Sequence, residues 1–185
     1  MLYLVGGASR SGKSSLAQRM RERHGAPWFP LDALKMGLFL GAPQLGVHPE
    51  HDDLETADLM WPIVQPLLEN LIFDGRDYLV EGVNLRPDAV ASFRARANAP
   101  VRAVFLGYPD IDAAEKRRQV AEGAGGYNDW LNRMGEAYIT EYIEESRRFS
   151  TRLQGDCERL GLAFVDTAGD LDAALALAER ILTTA

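Results

Sequence analysis

The chain has 185 residues, 46% of them hydrophobic and 25% charged, with a formal net charge of -7. That length supports one domain with a substantial core, here expected over 1–185, and the composition excludes disorder as the overall state. The acidic balance argues against a nucleic-acid binder, which carries an excess of Lys and Arg, and no apolar run approaches the roughly 20 residues of a membrane span.

The first predicted element is a short apolar strand, Leu2 to Val5, ending at Gly6-Gly7. Ser14 to His24 reads as a helix with Leu16, Ala17 and Met20 on one side. Pro27 to Leu31 is a second apolar run, and Asp32 to Leu40 a helix closed by Gly41 and Pro43. Gly41 to Asp53 is loop-like. From Leu54 to Phe73, Leu59, Ile63, Leu67 and Leu71 recur at helical spacing, while Pro62 and Pro66 predict a kink or a break. Tyr78 to Val83 is a third strand, followed by a helix that Pro87 initiates and that runs to about Ala97. Val101 to Leu106 is a fourth strand, and Asp110 to Ala121 a helix. After the glycine-rich break Gly123 to Gly126 comes a long helical stretch, Trp130 to Leu160. A fifth strand, Leu162 to Val165, and a final amphipathic helix, Asp170 to Leu182, complete the chain. Five short, mostly apolar strands separated by helices predict an α/β fold, a parallel sheet with helices on both faces.

The lone Cys157 lies between Asp156 and Glu158, which do not lower a thiol pKa, and is expected to be half-buried and structural. The N-terminus, MLYLVGG, has no charged leader region and too short an apolar run for a signal peptide, so a cytoplasmic location is expected. Trp28, Trp61 and Trp130 are expected to pack the core or a lid.

Residues 7 to 14 read GASRSGKS and match G-x-x-x-x-G-K-[ST]. At average residue usage the four fixed positions coincide by chance roughly once in 150 chains of this length. The context is also right, because the motif follows an apolar strand and opens an amphipathic helix. Gly7 and Gly12 let the backbone turn so that the amides of Ala8, Ser9, Arg10 and Ser11 form an anion nest. Lys13 brings a point charge to the outer phosphates of a nucleoside triphosphate, and the Ser14 hydroxyl is a ligand for Mg²⁺. Ser15 follows in the helix, whose positive end faces the same phosphates.

In an open α/β sheet, ligands bind beyond the carboxyl ends of the strands. Asp32 follows the second strand and Glu81 ends the third. One such acid orients or deprotonates an acceptor hydroxyl and the other holds Mg²⁺. Asp32 suits the first role and Glu81 the second, though the two roles can be exchanged. Asp32 can also be read as a plain helix N-cap. Lys35, one turn after Asp32, and Asn84 and Arg86, just after Glu81, are candidates for contacting the acceptor. Arg117, Arg118 and Arg133 flank the glycine-rich break, where a mobile lid would carry arginines toward the transferred phosphoryl group. The plainer reading makes Lys116, Arg117 and Arg118 a solvated helix face. His48, His51, Asp52 and Asp53 lack ligand spacing for a metal and read as a solvated loop on the acceptor side.

Together these residues resemble the small P-loop kinases related to nucleoside monophosphate kinases, the branch with shikimate kinase, gluconate kinase, chloramphenicol phosphotransferase and 2-phosphoglycerate-kinase-like proteins. GGASRSGKSS, the acid Asp32 and the run VEGVNLRP carry the resemblance. It implies a three-layer P-loop NTPase fold with a five-stranded parallel sheet in the order 2-3-1-4-5. A helical lid near 117–133 and an acceptor-side insertion near 33–75 would accompany it. It also implies that Asp166 to Gly169 lies against the adenine. Glu81 stands where many P-loop ATPases have a pair of Asp residues, no N-K-x-D motif is present, and Asn84 stands where a histidine is common. The implied activity is ATP- and Mg²⁺-dependent phosphorylation of a hydroxyl on a small metabolite or antibiotic-like acceptor. A nucleoside or nucleotide kinase, and a nucleotide-binding regulatory protein with little turnover, are the alternatives. The oligomeric state is left open.

Overall fold

The computed structural model describes residues 1–122 and 130–184. Five strands, β1 (Leu2–Gly7), β2 (Trp28–Pro30), β3 (Tyr78–Glu81), β4 (Val101–Gly107) and β5 (Ala163–Asp166), form one parallel sheet in the order β2-β3-β1-β4-β5. This is the predicted α/β class and the strand order that the resemblance implied. The helices among the described residues are α1 (Lys13–His24), α2 (Leu31–Gly41), α3 (Asp53–Phe73), α4 (Pro87–Arg96), α5 (Ala113–Glu122), α6 (Glu136–Leu160) and α7 (Leu171–Thr183).

Strand pleating assigns the apolar residues to two cores. Leu2 and Leu4 of β1, Val80 of β3 and Phe105 of β4 face α2, α3, α4 and α6. Tyr3, Val5, Leu79, Val104 and Leu106 face α1 and α7 on the other side. Both faces are covered, which explains why the strands show no polar alternation. β1 lies at the centre: the chain passes from it to β2 and β3 on one side and then crosses to β4 and β5 on the other. A crevice therefore opens beyond its carboxyl end.

The elements depart from the sequence reading at several points. Helix α3 runs unbroken through Pro62 and Pro66. Both prolines are exposed, so the carbonyls they leave without an amide partner lie on the solvent side. Its buried stripe is Ala57, Met60, Val64 and Leu68, and Leu59 is exposed. The stripe is offset by about one residue from the predicted one. Asp52 caps the helix, accepting from the amides of Leu54 (2.8 Å) and Glu55 (3.3 Å), and the Asn84 side chain donates to the Asp53 carbonyl at 3.0 Å. Helix α5 begins at Ala113 rather than Asp110, capped by Asp112, whose Oδ1 accepts from Ala114 and Glu115. Helix α6 begins at Glu136 rather than Trp130, because Gly135 is extended (φ -68°, ψ 155°) and Leu131–Arg133 forms only a 3-10 turn. Cys157 is wholly buried rather than half-buried, and burial, then Asp156 and Glu158, pushes its thiol up to about 12. The glycine-rich stretch 123–126, and with it the middle of the expected lid, lies outside the described residues.

Candidate active site at the carboxyl ends of the strands

The loop between β1 and α1 turns through residues with positive φ. Gly7 has φ 143°, Gly12 φ 93° and Arg10, a non-glycine residue, φ 57°. A left-handed conformation costs a side-chain-bearing residue about 1–2 kcal/mol.

Inside the loop the Lys13 ammonium donates to the Ala8 carbonyl at 2.7 Å, and the Ser11 amide reaches the same carbonyl at 3.3 Å. Burial pulls the Lys13 pKa down, while Glu81, Asp32 and Asp53 pull it up. Ser14 Oγ donates to Glu81 Oε1 at 3.0 Å. Glu81 is buried, and that burial raises its pKa, opposed by Lys13 and by the Ser14 hydroxyl. The indole of Trp28 also favours the ionised carboxylate without reaching hydrogen-bond geometry. A hydroxyl and a carboxylate side by side form an oxygen donor set that suits a hard divalent cation, which would also favour an ionised Glu81. The residues present therefore fit Mg²⁺ beside a triphosphate.

Across the crevice, Asp32 lies in the first turn of α2 and caps nothing, the N-cap position being Pro30. It pairs instead with Lys35 at 3.1 Å. Asp53, which the sequence reading placed in a solvated loop, faces the same cluster. Burial raises its pKa, Lys35 and Lys13 lower it, and Asp32 and Asp52 raise it. His48 and His51, with ring centroids 5.4 Å apart, lie nearby in sequence, and His48 stands edge-on to Phe39. Among the described residues no group of three or more His, Cys, Asp or Glu side chains is arranged to hold a metal.

The other candidates are placed variously. Asn84 is buried with its amide on the Asp53 carbonyl, joining the end of β3 to α3. Arg86 is engaged by Asp88 and Asp58. Arg117 pairs with Glu136 and donates to Thr140 Oγ1 at 3.3 Å, linking α5 to α6. Arg118 pairs with Glu115 and Glu122 on its own helix, and Arg133 is exposed on the 3-10 turn. The loop 166–169 is pinned beside β4, where the amide and hydroxyl of Thr167 donate to the Gly107 carbonyl at 2.7 and 3.0 Å. Its Ala168 packs on the cluster of Ala8, Tyr108 and Ile111.

Sequence reasoning also missed Lys116. Its side chain is buried, its ammonium donates to the Arg10 carbonyl at 2.8 Å, and it lies 3.8 Å over the Tyr108 ring. The signal was present, because Lys116 shares a helix face with Val120, the other buried residue of α5.

No family model matches the chain, and no curated protein matches it in sequence. Its fold is similar to that of a gluconokinase from Sinorhizobium meliloti, with 20% identity and TM-score 0.61 over 97% of this chain and 90% of the other. It is also similar to a shikimate kinase from Bacteroides thetaiotaomicron, with 12% identity and TM-score 0.59 over 98% of both chains. A sugar kinase from a Janibacter species aligns with 16% identity and TM-score 0.54 over 98% of both chains. Sheet order, loop and likenesses agree that the fold of this chain is that of the small P-loop kinases.

Proposed function

We propose that the protein is an ATP-dependent kinase that transfers the γ-phosphoryl group to a hydroxyl of a small molecule. One observation carries the reading: Ser14 of the loop donates to Glu81 at the end of β3 at 3.0 Å, beside Lys13, whose charge is favoured by Glu81, Asp32 and Asp53 together. A phosphate cradle and a pair of carboxylates thus share one crevice. The loop amides and Lys13 hold the triphosphate, and Ser14 and Glu81 hold Mg²⁺. Bound there, the ion neutralises charge on the phosphate oxygens. Asp32, the more exposed of the two acids, takes the acceptor proton, and Lys35, 3.1 Å away, orients it. Asp53 fixes the second side of the acceptor. Arg117, Arg118 or Arg133 would neutralise charge on the transferred group. The likeness to gluconokinase and shikimate kinase supports a polyhydroxylated acceptor.

Removing a general base lowers turnover by about 10²- to 10⁴-fold. Asp32→Asn should lower kcat within that range and leave the KM for ATP nearly unchanged. If Asp53→Asn alone produced that loss, the proton would go to Asp53 instead. The wider test is ADP formation from labelled ATP across a panel of polyols, sugars and sugar acids. Acceptor-dependent ADP release is the expected result. A protein that neither binds MgATP nor releases ADP with any acceptor would not be a kinase.

A further inference from the structure

Three side chains from outside the phosphate loop grip its crest. The Tyr108 hydroxyl, just beyond β4, donates to the Ser9 carbonyl at 2.5 Å, and the Tyr142 hydroxyl of α6 donates to Ser9 Oγ at 2.6 Å. Lys116 of α5 reaches the Arg10 carbonyl at 2.8 Å. Only 4% of Lys116 is exposed, and a buried ammonium is costly without a compensating role.

We propose that Lys116 is a positioning residue of the phosphate loop, fixing the Arg10–Ser11 peptide so that the Ser11 amide faces the bound phosphates. The inference rests on reading residues 7–14 as the nucleotide cradle. In a trans peptide the carbonyl and the following N–H point in opposite directions. Holding the Arg10 carbonyl outward therefore turns the Ser11 amide inward. It is found there, donating over a long 3.3 Å to the same Ala8 carbonyl that Lys13 reaches. A phosphate oxygen would replace that weak bond. Tyr108 acts in the same way one peptide earlier, holding the Ser9 carbonyl and so directing the Arg10 amide. Arg10 at φ 57° is costly on its own, so the inward amide needs an outside hold.

The groups facing Lys116 are Arg10 and Lys13 on the loop, Tyr108 beyond β4 and Gln119 on its own helix. Burial, then Arg10 and Lys13, lowers its pKa to about 8. Burial raises both tyrosines, Tyr142 to about 12, so neither ionises near pH 8. An arriving polyanion favours the charged lysine. Nucleotide binding then takes up a proton above pH 8, and affinity falls as pH rises through that value.

The test is calorimetric titration of MgATP into the full chain between about pH 6.5 and 9.5, with Lys116→Met and Lys116→Arg alongside. For the parent, affinity should fall by up to about tenfold per pH unit above the lysine's pKa. Lys116→Met should bind roughly tenfold or more weakly near pH 7 and lack that fall. Lys116→Arg, charged at every pH used, should bind tightly with a flat profile. A Met variant with the parent's affinity and the parent's slope overturns the proposal. If the Met variant does not fold, an Arg variant that keeps the parent's slope overturns it equally. A parent that binds no MgATP at any pH overturns the kinase reading and this proposal with it.

Discussion

Lys13→Ala is expected to lower ATP-dependent phosphoryl transfer by about a thousandfold, the scale of losing a cation that contacts the transferred phosphate. The chain should still fold, because the lysine is held by one loop carbonyl, Ala8 at 2.7 Å, and its burial works against its own charge. The effect reaches beyond the lost ammonium. Lys13 is the strongest influence opposing the burial that raises the Glu81 pKa, so without it Glu81 ionises only at higher pH. The residual rate of the variant should therefore rise with pH through a higher window than that of the parent. A coupled ADP assay against pH, with a thermal melt to establish folding, gives both readings. A folded variant within tenfold of the parent's rate would remove Lys13 from the reaction.

Gly7→Ala is expected to prevent folding. A Cβ at this position would lie 2.2 Å from the Leu106 oxygen and 2.8 Å from its nitrogen, and Gly7 has φ 143°. The obstacle is backbone in the centre of the sheet, where Gly7 pairs with Leu106 and the Ala8 amide donates to the Leu106 carbonyl at 2.9 Å. Neither strand can move without opening the β1–β4 ladder, so a loss of more than about 4 kcal/mol is expected. Gly25→Ala is the control. It also has positive φ, at 68°, but nothing lies within 4 Å of the added methyl. Its cost should be about 1–2 kcal/mol. Circular dichroism and a urea titration of both variants make the comparison. A Gly7→Ala protein melting within a few degrees of the parent would mean that the strands can separate at this point.

The candidate site was legible wherever its residues form a short local pattern. GASRSGKS specifies its own turn, since two glycines, a lysine and a serine have fixed duties within eight consecutive residues. Asp32 and Glu81 could be named because strand ends in a parallel sheet face one crevice. Asp53 could not be separated from His48, His51 and Asp52 by sequence. Asp52 and Asp53 are adjacent and chemically identical, yet one caps α3 and the other faces Lys35 and Lys13. The difference is one helix position: Asp52 is the N-cap and Asp53 the first residue of α3, whose carbonyl accepts from the Asn84 side chain 31 positions away.

Lys116 shows the same limit from another direction. The run Lys116, Arg117, Arg118 looks uniform as a string, but successive helical residues point about 100° apart. One lysine enters the core onto the phosphate loop, while the arginines beside it pair with Glu136 of α6 and with Glu115 and Glu122 of α5.

The amino-acid order by itself determined the alternation of strands and helices, the double-sided burial of the sheet and the phosphate loop. Each of these follows from hydrophobic periodicity or from backbone freedom within a few residues. Only the tertiary structure decided the buried face of α3, the pairing of Ser14 with Glu81, and the grip of Tyr108, Lys116 and Tyr142 on the loop. Those depend on contacts between residues tens of positions apart, which local periodicity cannot encode.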